Sequence, residues 1–217
     1  KSLMPLNLHW LELVFPKFCT NCYQTGQFLC QRCYQQVEFN SINTVESIQA
    51  QTHLDKVMVM NRYQTPVKQL ITAFKYKSVK NIGIYLADMV YRHLQLPPAD
   101  CVSFVPISYV RRCERGFNQS QVIAARLAAR INKPCLKLIT KTKHTSHQAQ
   151  LSYEQRLTNL TDCYQLKAKH KNQLAQFNSV LLIDDVITTG TTFNQCAQII
   201  KNAGCNQVTA LAIASRH

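Results

Sequence analysis

Residues 180–192 read Val-Leu-Leu-Ile-Asp-Asp-Val-Ile-Thr-Thr-Gly-Thr-Thr, and this stretch decides the fold. The apolar run at 179–183 has the length and composition of a buried strand. Two carboxylates follow it, and small hydroxylated residues with one glycine then lead into a predicted helix at about 192–202. Ligands of parallel sheets bind beyond the carboxyl ends of the strands. The stretch therefore predicts a binding site at a sheet edge.

The chemistry of this loop suits a phosphate group. Its backbone N–H groups and hydroxyls can surround one phosphate, and the helix N-terminus adds a favourable dipole. Asp184 and Asp185 cannot hold that phosphate, because like charges repel, but they suit ribose hydroxyls or a Mg²⁺ carried by the ligand. The alternative, a polar turn and a capped helix without a ligand, does not account for the paired aspartates. The loop residues are Thr188, Thr189, Gly190, Thr191 and Thr192.

The rest of the chain alternates short strands with amphipathic helices. This alternation predicts an α/β fold with a parallel sheet. Strands are expected at 57–60, 101–105, 135–139, 179–183 and 208–214. Helices are expected after Thr65-Pro66, with Thr65 as N-cap, and at about 82–94, 119–131 and 192–202, with a further short amphipathic helix at 3–15.

Four of the ten cysteines lie within fifteen residues. They are spaced Cys19-x2-Cys22-x7-Cys30-x2-Cys33, so two pairs of thiolates can close a tetrahedral shell around one ion. Disulfides and unligated thiols are the alternatives, but the other six cysteines are scattered singly from Cys101 to Cys205. The spacing predicts a structural Zn²⁺ site. We expect the cysteine module, with the helix before it, to occupy residues 1–45.

Positive charge is concentrated in the middle of the chain. Residues 61–178 hold nineteen of the 25 Lys and Arg residues and five of the 11 Asp and Glu residues, so they carry the whole net charge of +14. Such a segment favours a phosphate-rich partner, most plausibly nucleic acid, over a merely solvated surface. No apolar run approaches the ~18 residues of a membrane span. We expect a cytoplasmic protein.

Basic residues cluster beside the predicted strand ends. Arginines at such an edge can hold diphosphate oxygens in bidentate pairs. The stretch 141–150 also follows a strand and could close over a ligand as a lid, although a solvated basic loop is an equal alternative. The residues considered for diphosphate or DNA are Lys75, Lys77, Arg111, Arg112, Arg115, Lys141, Lys143 and Arg156.

Taken together and in order, the motifs resemble the ComF family of competence proteins. They comprise the four cysteines, Phe74-Lys75-Tyr76, Pro106, Arg115-Gly116-Phe117-Asn118-Gln119, the trio Gln148, Arg156 and Asn159, and the 180–192 loop. The resemblance covers about residues 10 to 215. Lys141 and Lys143 depart from the family pattern, in which arginine is expected early in that stretch.

The resemblance implies both a fold and a role. The loop resembles the 5-phosphoribosyl diphosphate (PRPP) signature of type I phosphoribosyltransferases. By that likeness, residues 55–217 form a phosphoribosyltransferase-like domain, Asp184 and Asp185 contact ribose hydroxyls, and residues 188–192 hold the 5-phosphate. The family implies a role in DNA uptake during natural transformation, with other competence proteins as partners.

Three functions follow from these observations. The protein binds PRPP and single-stranded DNA, or it is a working phosphoribosyltransferase, or it is a zinc-dependent regulator with a vestigial phosphate loop. The basic middle segment favours the first function over the second, because nucleobase salvage needs no such field. The intact loop argues against the third. The sequence does not indicate which acceptor would attack the ribose.

Overall fold

The structure, a computed structural model, describes residues 17–39, 53–77, 79–142 and 163–216. The predicted helix at 3–15 lies outside these ranges, as do Lys143, Arg156 and most of the predicted lid. In chain order the elements are α1 (Gln31–Tyr34), β1 (Lys56–Arg62), α2 (Val67–Tyr76), α3 (Lys80–His93), β2 (Cys101–Phe104), α4 (Tyr109–Arg115), α5 (Gln119–Arg130), β3 (Ile139–Lys141), β4 (Tyr164–Leu166), a 3-10 turn (Ala168–His170), α6 (Lys171–Leu174), β5 (Ser179–Ile187), α7 (Thr191–Asn202) and β6 (Gln207–Ser215).

The main sheet has four parallel strands in the order β1-β6-β5-β2. Both of its faces are covered, so side chains that alternate along β5 enter two different cores. Leu181 and Ile183 pack toward α2, α3 and α5. Val180 and Leu182 pack toward α7 and the β3–β4 pair. The predicted α/β fold with a parallel sheet is confirmed.

Strand β5 extends four residues beyond its predicted end. The sequence indicated 179–183 because aspartate is depleted in strands, but pairing with β6 continues from Asp184 opposite Ala212 to Ile187 opposite Ser215. Asp184 and Asp185 therefore belong to the strand and do not follow it. Their side chains project from a paired and rigid backbone.

The strand predicted at 135–139 is wrong in its bounds, because the strand in this region is β3 at Ile139–Lys141. Cys135 forms only an isolated bridge with Val102, bounded by hydrogen bonds from Val102 N to Pro134 O and from Leu136 N to Val102 O, both 2.9 Å. The amide of Leu138 then bonds back to Leu136 O, which turns the chain away from the sheet. Strand β3 forms after this turn and pairs antiparallel with β4.

Two helices differ from expectation. The stretch read as a basic loop contains α4, which begins where the Ser108 hydroxyl accepts a hydrogen bond from Arg111 N and ends at Gly116 with φ +75°. Helix α2 begins at Val67 with Pro66 as its N-cap, so the predicted Thr65 cap is one residue too early.

Helices α2, α3 and α5 pack closely at Gly83 of α3. A Cβ built there would lie 2.8 Å from Val122 Cγ1 and closer still to the Phe74 ring. Only glycine admits this approach. The close packing at Gly83 therefore fixes the position of α2, which ends in Lys75 and Tyr76, relative to α5.

The cysteine module packs on α3. The Phe28 ring meets the Tyr85 ring edge-on at 6.0 Å between centroids, and Phe39 stacks on His93 at 3.5 Å. Tyr34 Oη lies 2.6 Å from His93 Nε2. The buried cysteines belong to the same apolar cluster as the helices on this face of the sheet. No helix in the described ranges is long and apolar enough to cross a membrane.

Candidate functional site

The loop between β5 and α7 presents hydroxyls to solvent. Thr188, Thr189 and Thr191 are exposed, whereas Gly190 is buried and adopts φ +75°. The hydroxyls of Thr189 and Thr191 lie 2.9 Å apart. The left-handed glycine reverses the chain so that α7 begins at once, and the first turn of a helix offers backbone N–H donors. The arrangement can receive an anion.

Asp184 is held by two donors. The Ser120 hydroxyl, at the start of α5, donates to Asp184 Oδ1 at 2.7 Å, and the backbone N–H of Asp185 donates to the same atom at 2.8 Å. Burial and the neighbouring carboxylate of Asp185 nevertheless raise the pKa of Asp184 to about 7. This group can therefore change its protonation near neutral pH.

Asp185 has a different partner. Its carboxylate is buried, and Lys75 Nζ, from the last turn of α2, lies 3.0 Å from Oδ1. The two adjacent acids are thus distinguished, one by neutral donors and one by an ammonium group. The ion pair cancels one negative charge beside the loop, so an incoming phosphate meets less repulsion.

A second cation stands near the other side of the loop. Lys141 Nζ lies 5.3 Å from the centroid of the Tyr164 ring, and the Tyr164 hydroxyl is hydrogen-bonded to Thr192. Burial, then the nearby charge of Arg111, lowers the pKa of Lys141. Lys141 and Arg111 therefore lie close enough for their charges to repel each other.

The remaining basic residues lie in different places. Arg111 and Arg112 are exposed on α4, and Lys77 is exposed at the end of α2. The guanidinium of Arg115 lies 5.9 Å from the ring centroid of the exposed Tyr76. The prediction that these side chains form one cluster with Lys143 and Arg156 extends outside the described residues.

Two contacting residues were absent from the sequence-based site. Ser120 is an ordinary helix residue in the sequence, and nothing in its neighbourhood marks it as a partner of Asp184. Tyr164 belongs to a short strand that the sequence reading left without an assignment. Both reach the site through tertiary packing.

The four clustered cysteines bring their sulfurs within 4.8 Å of one another. Cys22 Sγ lies 3.5 Å from Cys30 Sγ, and Asn21 Nδ2 donates to Cys33 Sγ at 3.3 Å. Burial raises the pKa of Cys19, but backbone N–H groups, first those of Cys22 and Cys30, bond to its sulfur and lower its pKa to about 6. Tetrahedral zinc with Zn–S bonds of about 2.3 Å needs sulfurs about 3.8 Å apart, so the cluster fits a four-thiolate site.

Comparisons with known proteins agree with this geometry. A sequence profile described as the phosphoribosyl transferase domain matches residues 118–217, which include the loop and both aspartates. Competence protein F of Haemophilus influenzae is 29% identical over 90% of this chain and 89% of its own length. The DNA utilization protein YhgH of Escherichia coli K12 is 26% identical over 94% of this chain and 91% of its own.

More distant matches cover less of the molecule. Competence protein ComFC of Bacillus subtilis is 28% identical over 65% of this chain and 56% of its own length. Among solved structures, the glutamine PRPP amidotransferase of B. subtilis, complexed with ADP and GMP, matches with a TM-score of 0.41 and 20% identity. That match covers 63% of this chain and 26% of the amidotransferase chain.

The sequence motifs, the parallel sheet and the sequence matches lead to one identification. The profile matches residues 118–217, and the competence and DNA utilization proteins align along nearly all of the chain. This confirms the family resemblance read from the motifs: the chain is a homologue of competence protein F and of ComFC, and its residues 118–217 match the phosphoribosyl transferase domain.

Proposed function

We propose that this protein binds PRPP, or a related phosphoribosyl ligand, together with single-stranded DNA, and that it acts in DNA uptake. The observation that carries the ligand part is the sheet edge itself. Two acids with separate partners stand beside a left-handed glycine loop whose exposed threonines precede a helix. A ribose with a 5-phosphate needs both kinds of group side by side.

Each part of the ligand has a matching element. Thr188, Thr189 and Thr191 hold the 5-phosphate with the N–H groups of the first turn of α7. Asp184 and Asp185 accept hydrogen bonds from the ribose hydroxyls. A Mg²⁺ that arrives with the diphosphate would reduce its negative charge and find oxygen ligands in the same carboxylates.

The DNA part rests on charge and on homology. Residues 61–178 carry the whole net charge of +14, and Arg111 and Arg112 project from an exposed helix beside the ligand edge. Homologues named for competence and DNA utilization align along most of the chain. We therefore expect binding that is independent of DNA sequence and weakens with salt. The slope of log K against log salt concentration should be near −0.7 for each phosphate neutralised.

The cysteine module serves the fold in this proposal. Cys19, Cys22, Cys30 and Cys33 hold one Zn²⁺ in a closed shell, which leaves no position for a substrate. Because the module packs on α3, the metal supports the face of the domain that includes α2 and its Lys75.

PRPP binding is tested by thermal unfolding. PRPP with Mg²⁺ at about 100 times Kd should stabilise the protein by about 2.7 kcal/mol, a shift of roughly 5–10 °C for a chain of this size. Replacing both acids, as Asp184→Asn with Asp185→Asn, should remove the shift without unfolding the protein. Glu114→Gln, at an exposed position of α4, removes one carboxylate elsewhere and should keep it. A double variant that responds like the wild type would place the ligand elsewhere.

The same preparation separates binding from catalysis. Release of diphosphate from PRPP, measured with and without single-stranded DNA, identifies the alternative of an active phosphoribosyltransferase. Binding of a labelled oligonucleotide across a salt series tests the DNA part. If the wild type fails to bind at low salt, where attraction is strongest, the role in DNA handling is wrong and a metabolic enzyme is the better account.

A further inference from the structure

A groove between α3 and α5 is lined at one end by Gly116, Phe117 and Asn118, close in sequence to Ser120, which bonds Asp184. Its volume is about 560 Å³, within the range of ligand sites, and it runs along the exposed side of the two helices. Lys80 and Ile84 form one wall, and Gln121 and Ala125 form the other. None of the lining residues belongs to the loop at 188–192 or to the aspartate pair.

The lining combines a small apolar floor with a basic rim. Ala125 and Ala129 lie one helical turn apart on α5, and their small side chains leave space in the groove. Ile84 on α3 is 38% exposed. Arg112 and Arg126 stand on the rim with Lys80, and the lining contains no carboxylate among the described residues.

The carboxylate that contacts the rim residue Arg126 is already neutralised. Asp88 on α3 receives Arg126 Nε at 2.9 Å and Arg126 Nη2 at 3.0 Å, and Arg130 Nη2 lies 2.8 Å from its Oδ1. Two guanidinium groups on one carboxylate leave a local excess of positive charge. The groove therefore attracts an anion along its length and not only at one end.

An exposed aromatic side chain lies on α3 beyond the residues that line the groove. Tyr91 lies seven residues after Ile84, which is about two helical turns along the same face of α3. Its ring is 44% exposed, and the guanidinium of Arg130 lies 5.6 Å from the ring centroid. Exposed rings beside arginine are the surfaces on which unpaired bases stack. The stretch of α5 from Gln121, which lines the groove, to Arg130, beside Tyr91, rises about 14 Å, room for about four stacked nucleotides.

We propose that single-stranded DNA lies in this groove, with its phosphates on the basic rim and one base stacked on Tyr91, while the phosphate loop stays free for PRPP. This deepens the proposed function, on which it rests, because it gives the DNA a surface of its own. DNA and PRPP then bind together and do not compete.

A matched pair of variants tests the position of the DNA. Gln121→Glu adds one negative charge inside the groove, at the third position of α5, where glutamate favours the helix. Gln198→Glu makes the same change at an exposed position of α7, outside the groove. We expect up to about fivefold weaker binding of a labelled oligo-dT for the first variant and no change for the second, at one ionic strength.

Three further measurements complete the test. Ala125→Glu, which fills the floor, should weaken binding more than Gln121→Glu. Tyr91→Ala should weaken it about fivefold or more, and Tyr91→Phe should bind normally, because stacking needs only the ring. All groove variants should keep the wild-type melting shift with PRPP, and saturating PRPP should leave the affinity for oligo-dT within about twofold.

The outcomes separate the two proposals. If Gln121→Glu and Ala125→Glu bind oligo-dT as well as Gln198→Glu does, the groove is not the DNA surface, although DNA binding itself stands. If PRPP displaces the oligonucleotide at matched ionic strength, the two ligands share one site and the inference is wrong. Failure of the wild type to bind oligo-dT at low salt would instead refute the underlying DNA function.

Discussion

The cysteine cluster and the phosphate loop each contain a residue with a left-handed backbone conformation, but their functional side chains differ in burial. In the cluster, Tyr23 adopts φ +65°, and in the loop Gly190 adopts φ +75°. Three of the four cysteines in the cluster are buried, and Cys22, next to the first turn, is exposed. The second directs hydroxyls outward, so three threonines are exposed. A left-handed turn can therefore belong to a buried structural cluster or to an exposed binding loop, and the burial of the neighbouring side chains distinguishes the two.

The difference extends to the forces involved. Groups in the cluster face one another, so their interaction is internal to the folded chain. At the sheet edge, Asp184 and Asp185 lie side by side on one strand, and the fold tolerates the repulsion by giving each a separate partner. Strain of this kind is typical of binding sites, where stability is exchanged for affinity.

The largest effect should come from breaking the cluster. Cys30→Ser leaves three thiolates for the metal, and because zinc binding contributes directly to folding, we expect a loss of at least about 5 kcal/mol together with poorer solubility. Urea unfolding measures the loss. Cys113→Ser, at an exposed cysteine of α4, should change stability by less than about 0.5 kcal/mol. Metal analysis of the wild type that finds neither zinc nor iron would refute the metal site.

A smaller effect should appear at Asp184 as pH changes. Its pKa is raised to about 7, so folding favours the protonated form. The stability it contributes is fully present below the pKa of about 3.9 of an unfolded aspartate and is lost as pH rises through 7, on the order of 3 kcal/mol.

The variant Asp184→Asn removes this dependence while its amide oxygen can still accept from Ser120 and Asp185 N. We expect it to be more stable than the wild type at pH 8 and to lose the PRPP response. Urea midpoints measured at pH 5 and pH 8 provide the test. Parallel behaviour of the two proteins across this range would show that burial does not raise the pKa of Asp184.

The smallest of the three effects should come from Lys75. Lys75→Met leaves the buried carboxylate of Asp185 without its cation, and because both side chains retain some exposure we expect a loss of about 1–3 kcal/mol. Lys68→Met makes the same change at an exposed position of the same helix and should be nearly neutral. If urea unfolding gives the two variants equal stability, the ion pair between Lys75 and Asp185 does not stabilise the folded protein.

The sequence predicted those parts of the molecule that local rules determine. The strand-loop-helix unit at 179–202, the cysteine spacing and the alternation of strands with helices each carry short-range signals, and each is found in the structure. Helix α4 also had such signals, a serine before it and a glycine after it, but the arginines between them favoured the reading of a loop.

The parts that could not be predicted depend on tertiary contacts. Ser120 lies 64 positions before Asp184, and no local pattern relates them. The continuation of β5 past Asp184 is fixed by its pairing with β6, which outweighs the weak strand preference of aspartate. Lys75 was identified from a motif, whereas its choice of Asp185 emerges only when α2 packs beside the sheet.

Helix α3 connects two regions of the molecule, because it has contacts on two of its sides. Tyr85 and His93 contact the cysteine module, whereas Lys80 and Ile84 line the basic groove. The same helix therefore packs against the cysteine module on one side and lines the groove on another. If the groove binds DNA as proposed, oxidation or chelation at the cysteines would loosen the packing of the module on α3 and disturb the groove, and we expect DNA binding to depend on the redox state of these thiols.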